Sequence, residues 1–332
     1  MGVLLTTDYT NLTSHLLILD EIFNDAMRQA VDKQVWLQIF DTKQNNHRND
    51  TVQLNHGLGT VKFIPENTDY PEASGKEGDK ITFTKYKYGA NVVITLENRI
   101  YDEYDQVETN VKSIVDVGYN LIDQSLGDIL GHGFSNVAYV DVYGQLASAV
   151  WPDGLALFSA AHTNTSTLAT YSNIMTSQWI SNPSISRQAI IDTRVRGMRY
   201  KDPQGTIRPI YYDTILVAPE QEDYVTRLIG SEQVAGTANN DTNSYLKGKM
   251  KVQSWSKLSI RSDGVDTSNY WYMYDSSMIK NTLKAFFARY PELLPPAEYD
   301  PNKNWNYLFH FIYSRGFSRA PYLQWSNGSL LP

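Results

Sequence analysis

A long amphipathic segment lies between residues 105 and 131. Polar residues separate its apolar side chains, and Gly131 can end a helix in a left-handed turn. About 26 residues at about 1.5 Å each give a rod of roughly 40 Å. The apolar side chains recur at steps of three, four or seven, the spacing of one helix face: Val107, Val111, Ile114, Val115, Leu121, Ile122 and Ile129. The pattern therefore predicts a spine helix with one buried face.

Shorter apolar stripes predict further helices. The stripe from Leu16 to Val31 predicts an N-terminal helix that Ser14 can cap, and residues 1–13, which show no periodicity, predict a flexible arm. A second short helix is predicted at 184–200, with Ser184 as its cap. Two further helices are predicted at 220–229 and 277–290.

The segment 41–80 is rich in Asn, Gly and Pro and poor in apolar residues. A compact domain rarely holds so long an irregular segment unless it has a function. Alternating residues at 60–64 and 80–84 predict the two strands of a long hairpin. Because an isolated hairpin is at best marginally stable, we predict that this one lies on a neighbouring chain. Neighbouring chains would then bury four apolar side chains of the hairpin: Val61, Phe63, Ile81 and Phe83. Complete burial of each side chain contributes about 1.5–3 kcal/mol of stabilisation.

Strand patterns complete an α+β prediction. No internal repeat appears at a period of 20 to 50 residues, which argues against solenoids and propellers. Apolar or alternating runs predict strands at 92–96, 136–143, 210–217, 251–260, 269–275 and 305–313.

The composition narrows the function classes. Of 332 residues, 42% are hydrophobic and 20% charged, which is typical of a globular chain. The absence of cysteine excludes disulfides and thiolate metal sites. A net charge of −7 argues against general binding to nucleic acids or anionic membranes. No apolar run is long enough for a bilayer, and we expect no signal peptide. The 23 Tyr and 7 Trp favour extensive protein contacts, although carbohydrate binding uses the same residues.

Candidate catalytic chemistry is weak. Asp153, Ser159 and His162 contain the residue types of a hydrolase triad, but the Gly-x-Ser-x-Gly turn is absent. The six histidines show no metal-ligand spacing. We therefore predict no catalytic, cofactor or metal site. We interpret the hairpin lysines as solvated, since nothing distinguishes any one of them: Lys62, Lys76, Lys80, Lys85 and Lys87.

Three stretches of the chain carry distinctive motifs. The loop 153–164 carries Leu-Phe-Ser and His-Thr-Asn runs. The segment 184–229 holds a predicted helix, a Pro-Gln-Gly turn, a Thr-Ile-Leu-Val strand, a proline and a second predicted helix. An aromatic strand at 309–317 is followed by Trp325. With these motifs and the order of its predicted elements, the chain resembles the major capsid proteins of tailed bacteriophages with the Hong Kong 97-like fold, of the prophage major head subunit type.

The resemblance implies a division of the chain. Residues 1–40 would be an N-terminal arm and helix, and residues 41–100 an extended loop with its connecting strand. Residues 101–134 together with 270–332 would form the peripheral domain. Residues 135–269 would form the axial domain at the centre of a capsomer.

The resemblance also implies a function and partners. The protein would be a major capsid protein, a non-enzymatic component of the virion, made in the host cytoplasm. Copies would form the hexamers and pentamers of an icosahedral shell around double-stranded DNA, without sequence-specific binding. Scaffolding, portal and decoration proteins would be its partners. The spine helix begins near residue 105, too early for the N-terminal scaffolding region of many relatives, so we expect either a separate scaffolding protein or assembly without one.

Three alternatives stay open at this point. An encapsulin-type nanocompartment shell protein shares the fold but encloses enzymes. A carbohydrate-active enzyme would use the aromatic residues and carboxylates. Another virion protein, such as a tail or decoration subunit, would form rings or trimers instead of shells.

Overall fold

In a computed structural model of the chain, the structure describes residues 21–55, 63–66, 68–70, 77–95, 106–151, 153–163, 170–178, 180–201, 206–231, 243, 245–294, 304–318 and 322–328. Helices among them are α1 (21–32), α2 (Trp36–Ile39), α3 (Gln106–Gly131), α4 (Arg187–Met198) and α5 (Pro219–Gly230), and short 3₁₀ turns occupy Ser256–Leu258 and Ile279–Asn281. The predicted arm at 1–13 and its cap Ser14 lie outside the described residues.

The spine helix is present as predicted. Helix α3 is 26 residues long. Its buried side chains follow steps of three and four, as a helix with one face on the core requires: Val111, Val115, Tyr119, Ile122, Leu126 and Ile129.

A four-stranded sheet packs with α3 in the main core. It contains β1 (Asp41–Gln44), β4 (Tyr86–Ile94), β14 (Leu283–Leu294) and β15 (Trp305–Phe317), in the order β1-β14-β15-β4. Strand β1 is parallel to β14, and the other pairs are antiparallel. Phe309 of β15 packs directly under Gly118 of α3, where a Cβ would stand 2.4 Å from the ring. The helix and sheet are therefore in close contact.

A second four-stranded sheet joins this core to a smaller one. It contains β11 (Thr214–Val217), β12 (Lys251–Ser254), β13 (Trp271–Tyr274) and β16 (Leu323–Ser326), in the order β12-β11-β13-β16. Alternate side chains of β11 reach different clusters: Leu216 joins the main core, whereas Ile215 and Val217 pack with residues of α4 and α5. This is the period of two that a sheet covered on both faces requires.

Two-stranded ribbons lie outside these sheets. The hairpin pairs β2 (Asn49–Asn55) with β3 (Glu77–Thr84). The short ribbons pair β5 (Tyr139–Val140) with β6 (Leu146–Ala147), β7 (His162–Thr163) with β8 (Thr170–Tyr171), and β9 (Thr176–Ser177) with β10 (Ile180–Ser181).

The hairpin differs from its prediction in one strand. The predicted strand 80–84 is part of β3, but its partner is β2 and not 60–64. Phe63 and Ile64 are described and are not in a strand, while residues 60–62 lie outside the described residues. Strand β2 escaped detection because its sequence, Asn-Asp-Thr-Val-Gln-Leu-Asn, is mostly polar.

The helix predicted at 277–290 is wrong. A 3₁₀ turn at Ile279–Asn281 leads into β14, although Leu, Lys and Ala favour helices. Pairing with β1 and β15 on its two sides overrides that propensity. Strand β14 can contain Pro291, although proline has no backbone N–H to donate. Strand β1 pairs with β14 at residues 284–287, so it needs no hydrogen bond from position 291.

Several other elements are shorter than predicted, including the strands predicted at 210–217 and 251–260, which are observed as β11 (Thr214–Val217) and β12 (Lys251–Ser254). The strand expected at 136–143 is reduced to β5, because Asp141 accepts backbone N–H bonds from Tyr143 and Gln145 and turns the chain. The helix predicted at 184–200 begins at Arg187. Its cap is Ser186 and not Ser184, since Ser186 Oγ accepts from Ala189 N at 3.2 Å.

Candidate assembly site at the base of the hairpin

The four predicted contact residues have different surroundings. Phe63 is 91% exposed, and Val61 lies outside the described residues. Ile81 and Phe83 are half-buried against the main core of their own chain. The Phe83 ring lies 6.0 Å from that of Phe317. Contact with a neighbour remains a prediction for all four, but Ile81 and Phe83 do not depend on a neighbour for most of their cover.

The base of the hairpin is held by a buried ion pair. Lys85, between β3 and β4, has a side chain only 1% exposed, and its Nζ lies 2.8 Å from Asp50 Oδ2. The ammonium also donates to Asn45 Oδ1 and, at 2.9 Å, to the His47 carbonyl. The interpretation of Lys85 as a solvated lysine is therefore wrong. The sequence gives no local signal for this contact, because Lys85 and Asn45 are 40 residues apart.

Strand β15 completes the attachment of the hairpin. Ser314 Oγ donates to Asp50 Oδ2 at 2.9 Å, and both side chains are buried. Gly316 leaves room for Phe83, since a Cβ at Gly316 would stand 2.4 Å from the ring. The hairpin is thus fixed to the body at its base by a polar contact and an aromatic contact.

A second buried ion pair lies beside this attachment. Arg315 Nη2 donates to Asp141 Oδ2, and the Asp141 side chain is 1% exposed. Burial alone would lower the pKa of Arg315, but nearby Tyr313, Tyr139 and Asp141 raise it above its ordinary value. The guanidinium therefore stays charged and neutralises the buried carboxylate.

Between these elements is a cavity of about 250 Å³. It is lined by the end of β3, by β5 and β6, and by the polar end of β15. Tyr313 hydroxyl donates to Tyr143 hydroxyl at 3.2 Å and contacts Ser125 Oγ of the spine helix. Burial raises the pKa of Tyr143 far above its ordinary value, so its hydroxyl stays protonated. The cavity is polar on one side, and its charged lining side chains among the described residues are those of the Arg315–Asp141 ion pair.

In the set Asp153, Ser159 and His162, the histidine makes structural hydrogen bonds. His162 is fully buried, with Nδ1 3.1 Å from Asp153 Oδ2 and Nε2 3.1 Å from the Leu157 carbonyl. A triad needs that second nitrogen to face a serine hydroxyl. Ser159 Oγ instead accepts from Ala161 N at 3.3 Å. The structure thus brings Asp153 and His162 together and leaves Ser159 out.

Within the described part of the chain, no group of three His, Asp or Glu side chains has an arrangement that could hold a metal ion. The same residues include no helix that is both long and apolar enough to span a membrane.

Comparison with known proteins shows the fold. No protein-family model matches the sequence, and no curated protein matches it. Among solved structures, the capsid of cyanophage P-SCSP1u gives a TM-score of 0.52 at 9% identity, covering 88% of this chain and 87% of the other. The capsid of an empty GTA particle gives 0.50 at 10% identity, with 87% and 88% covered. The capsid of Ralstonia phage GP4 gives 0.50 at 12% identity, with 84% and 83% covered. This chain has the Hong Kong 97-like fold of phage capsid proteins.

Proposed function

We propose that this protein is a major capsid protein whose copies assemble into the icosahedral shell around the double-stranded DNA of a tailed bacteriophage. One observation carries the proposal: the similarity to capsid proteins extends over nearly the whole length of both chains.

The hairpin supports the proposal physically. Its base is fixed to the body, while Phe63, in the segment between its strands, is 91% exposed. An exposed Phe gains about 1.5–3 kcal/mol when a partner covers it completely. In a closed shell every copy can supply and receive such a contact, so many modest contacts add up to a stable particle.

We also propose that the protein is not an enzyme and that it is located in the capsid of the virion. The division into arm (1–40), extended loop (41–100), peripheral domain (101–134 with 270–332) and axial domain (135–269) stays part of the proposal. Strands β13 and β16 of the proposed peripheral domain pair with the sheet that contains β11 and β12. The two domains would therefore share this sheet.

Electron microscopy of the purified full-length protein tests the assembly. We expect closed shells or capsomer rings from the wild type, and only small species from Phe63→Asp with unchanged circular dichroism. Phe63→Leu is the matched control, since it keeps an apolar side chain and should assemble. The proposal would be refuted by a wild-type protein that remains monomeric at every concentration tested, both alone and when co-expressed with the proteins encoded by neighbouring genes.

The contents of native particles separate the phage shell from a nanocompartment. We expect nuclease-protected DNA of genome length in particles from lysed host cells. Enclosed enzyme without DNA would favour the encapsulin-type alternative. Rings or trimers attached to another shell would favour a tail or decoration protein.

A further inference from the structure

An arginine of helix α4 is buried without a counter-charge. Arg194 is 9% exposed, and its Nε and Nη1 are buried and have no hydrogen-bond partner among the described residues. A buried lysine escapes such a position by losing its proton, but an arginine keeps its charge. Burying an unpaired charge is costly. Arg194 therefore lies where the described part of the chain supplies no compensating anion.

A second cation lies beside Arg194. Arg194 Cζ is 5.0 Å from the centre of the Tyr245 ring, and Lys249 Nζ is 5.5 Å from the same centre. A ring face attracts a cation, but it carries no net charge, so two cations on one ring still repel each other. Neither cation forms an ion pair with a carboxylate of the described residues. The pair thus concentrates positive charge in a protein whose net charge is −7.

The segment around this ring is basic as well. Residues 242–262 contain four lysines, one arginine and no aspartate or glutamate. The segment starts at the C-terminal end of α5, where Asn243 Nδ2 donates to the Leu228 carbonyl at 3.1 Å. The negative end of a helix favours nearby cations, which accounts for exposed lysines there. It does not account for Arg194, whose buried N–H groups reach no carbonyl of the described residues.

We propose that Arg194 and Lys249 bind a phosphate group. A guanidinium donates N–H groups in a fixed fork that matches phosphate oxygens, and an ammonium adds a point charge. A phosphate monoester carries about 1.5–2 negative charges at pH 7, which matches two cations better than one carboxylate does. Lys249 is exposed, so the group reaches the site from solvent. The group is either free phosphate or the terminal phosphate of a nucleic acid.

Thermal unfolding of the full-length protein tests the site. A ligand that binds only the folded state stabilises it, so millimolar sodium phosphate should raise the melting temperature until the effect saturates. Sodium chloride of equal ionic strength should not have this effect. Phosphate also stabilises proteins because it is excluded from their surface, but that effect does not saturate at such concentrations. A wild-type protein that responds equally to the two salts would overturn the proposal.

Arg194→Met distinguishes a phosphate site from packing of the arginine on the tyrosine ring. In buffer without phosphate, the variant should melt at or above the wild-type temperature, because an unpaired buried charge has been removed. Phosphate should then add no saturating stabilisation. Arg199→Met is the matched control, since Arg199 is exposed at the end of the same helix, and it should keep the full response. A wild-type response in Arg194→Met contradicts the proposed site.

Lys249 provides a test that does not depend on a buried substitution. Because Lys249 is exposed, Lys249→Gln should fold, and it should raise the phosphate concentration needed for half of the effect on the order of tenfold. Lys251→Gln, at an exposed lysine two residues further along, should leave that concentration unchanged. An unchanged response in Lys249→Gln would rule out a site built from two cations.

Two dinucleotides identify the source of the phosphate group, one with a 5′-phosphate and one without. Stabilisation by inorganic phosphate alone would assign the site to the free anion. Stabilisation by the phosphorylated dinucleotide as well would assign it to the end of a nucleic acid. Equal stabilisation by the two dinucleotides would overturn the proposal, because the second has only a singly charged phosphodiester. None of these measurements needs an assembled particle, so they are independent of the proposed shell function.

Discussion

Asp123 provides the sharpest test of the packing between the spine helix and the rest of the core. It lies in α3 and is 9% exposed, and its Oδ1 accepts from Trp255 Nε1 at 2.9 Å. Burial raises the pKa of Asp123 from 3.8 to about 6, although the Trp255 hydrogen bond and the nearby Lys257 act in the opposite direction. At neutral pH the fold therefore contains a buried carboxylate that is less stable there than in water.

The size and pH range of the effect follow from this pKa. Because the folded-state pKa is raised, the folded state binds a proton more tightly than the unfolded state, and stability falls as pH rises from about 4 to about 6. A tenfold change in an equilibrium constant is worth about 1.4 kcal/mol. The change in the pKa of Asp123 from 3.8 to about 6 corresponds to slightly more than two such factors. The free energy of unfolding is therefore lower by about 3 kcal/mol at pH 7 than in acid, where Asp123 is protonated in both states. Asp123→Asn removes the charge and keeps an oxygen that can accept from Trp255.

We expect Asp123→Asn to stabilise the protein by about 2–3 kcal/mol at pH 7 and by less than about 1 kcal/mol at pH 4. Urea unfolding at several pH values between 4 and 7, followed by tryptophan fluorescence, measures the difference. Asp116→Asn is the matched control, since Asp116 is exposed on the same helix and its replacement should change little at any pH. A gain that is equal at pH 4 and pH 7, or a loss of stability at pH 7, would refute the reasoning.

Three further changes test contacts described above. Gly118→Ala should lower the free energy of unfolding by about 1–3 kcal/mol in urea titrations, because its Cβ would stand 2.4 Å from the Phe309 ring. Arg315→Met should lower it by about 3–5 kcal/mol, because Asp141 would be left as an unpaired buried charge. Ser159→Ala should change it by less than about 1 kcal/mol, because within the described residues its hydroxyl accepts one long local bond from the backbone.

Each of these changes has a matched control. Gly230→Ala in α5 meets open space and should stabilise slightly, by about 0.4–1 kcal/mol. Arg289→Met removes an exposed arginine from the neighbouring strand and should change stability by no more than about 0.5 kcal/mol. His162→Ala should cost about 2–4 kcal/mol, because it empties a buried position and removes two hydrogen bonds. Equal effects for a change and its control would contradict the contact concerned.

The periodicity of apolar residues is sufficient to predict an element that buries one of its faces. The spine helix was predicted within one residue because its apolar stripe continues for seven turns, and the helix at 220–229 was predicted because acidic residues follow Pro219 at its start. The strand β14 was missed because its residues favour a helix in isolation. Its conformation is set by β1 and β15, which lie far away in sequence.

The attachment of the hairpin could not be predicted for the same reason. Lys85 looks like any solvated lysine until the register of β2 against β3 brings Asp50 beside it. The polar pair Ser314 and Arg315 does interrupt an aromatic strand, which is a usable signal. It shows that the strand meets polar groups, but it does not identify their partners.

The order of strands in the main sheet has a consequence for biosynthesis. Strands β1 and β4 flank the sheet and are translated first, whereas β14 and β15, which lie between them, are translated much later. A nascent chain cannot close this sheet, nor dock its hairpin on Ser314, until β15 has been synthesised. Products truncated before β15 therefore lack the surface on which the hairpin is seated. Only polypeptides that extend through β15 can hold the hairpin in the position described above.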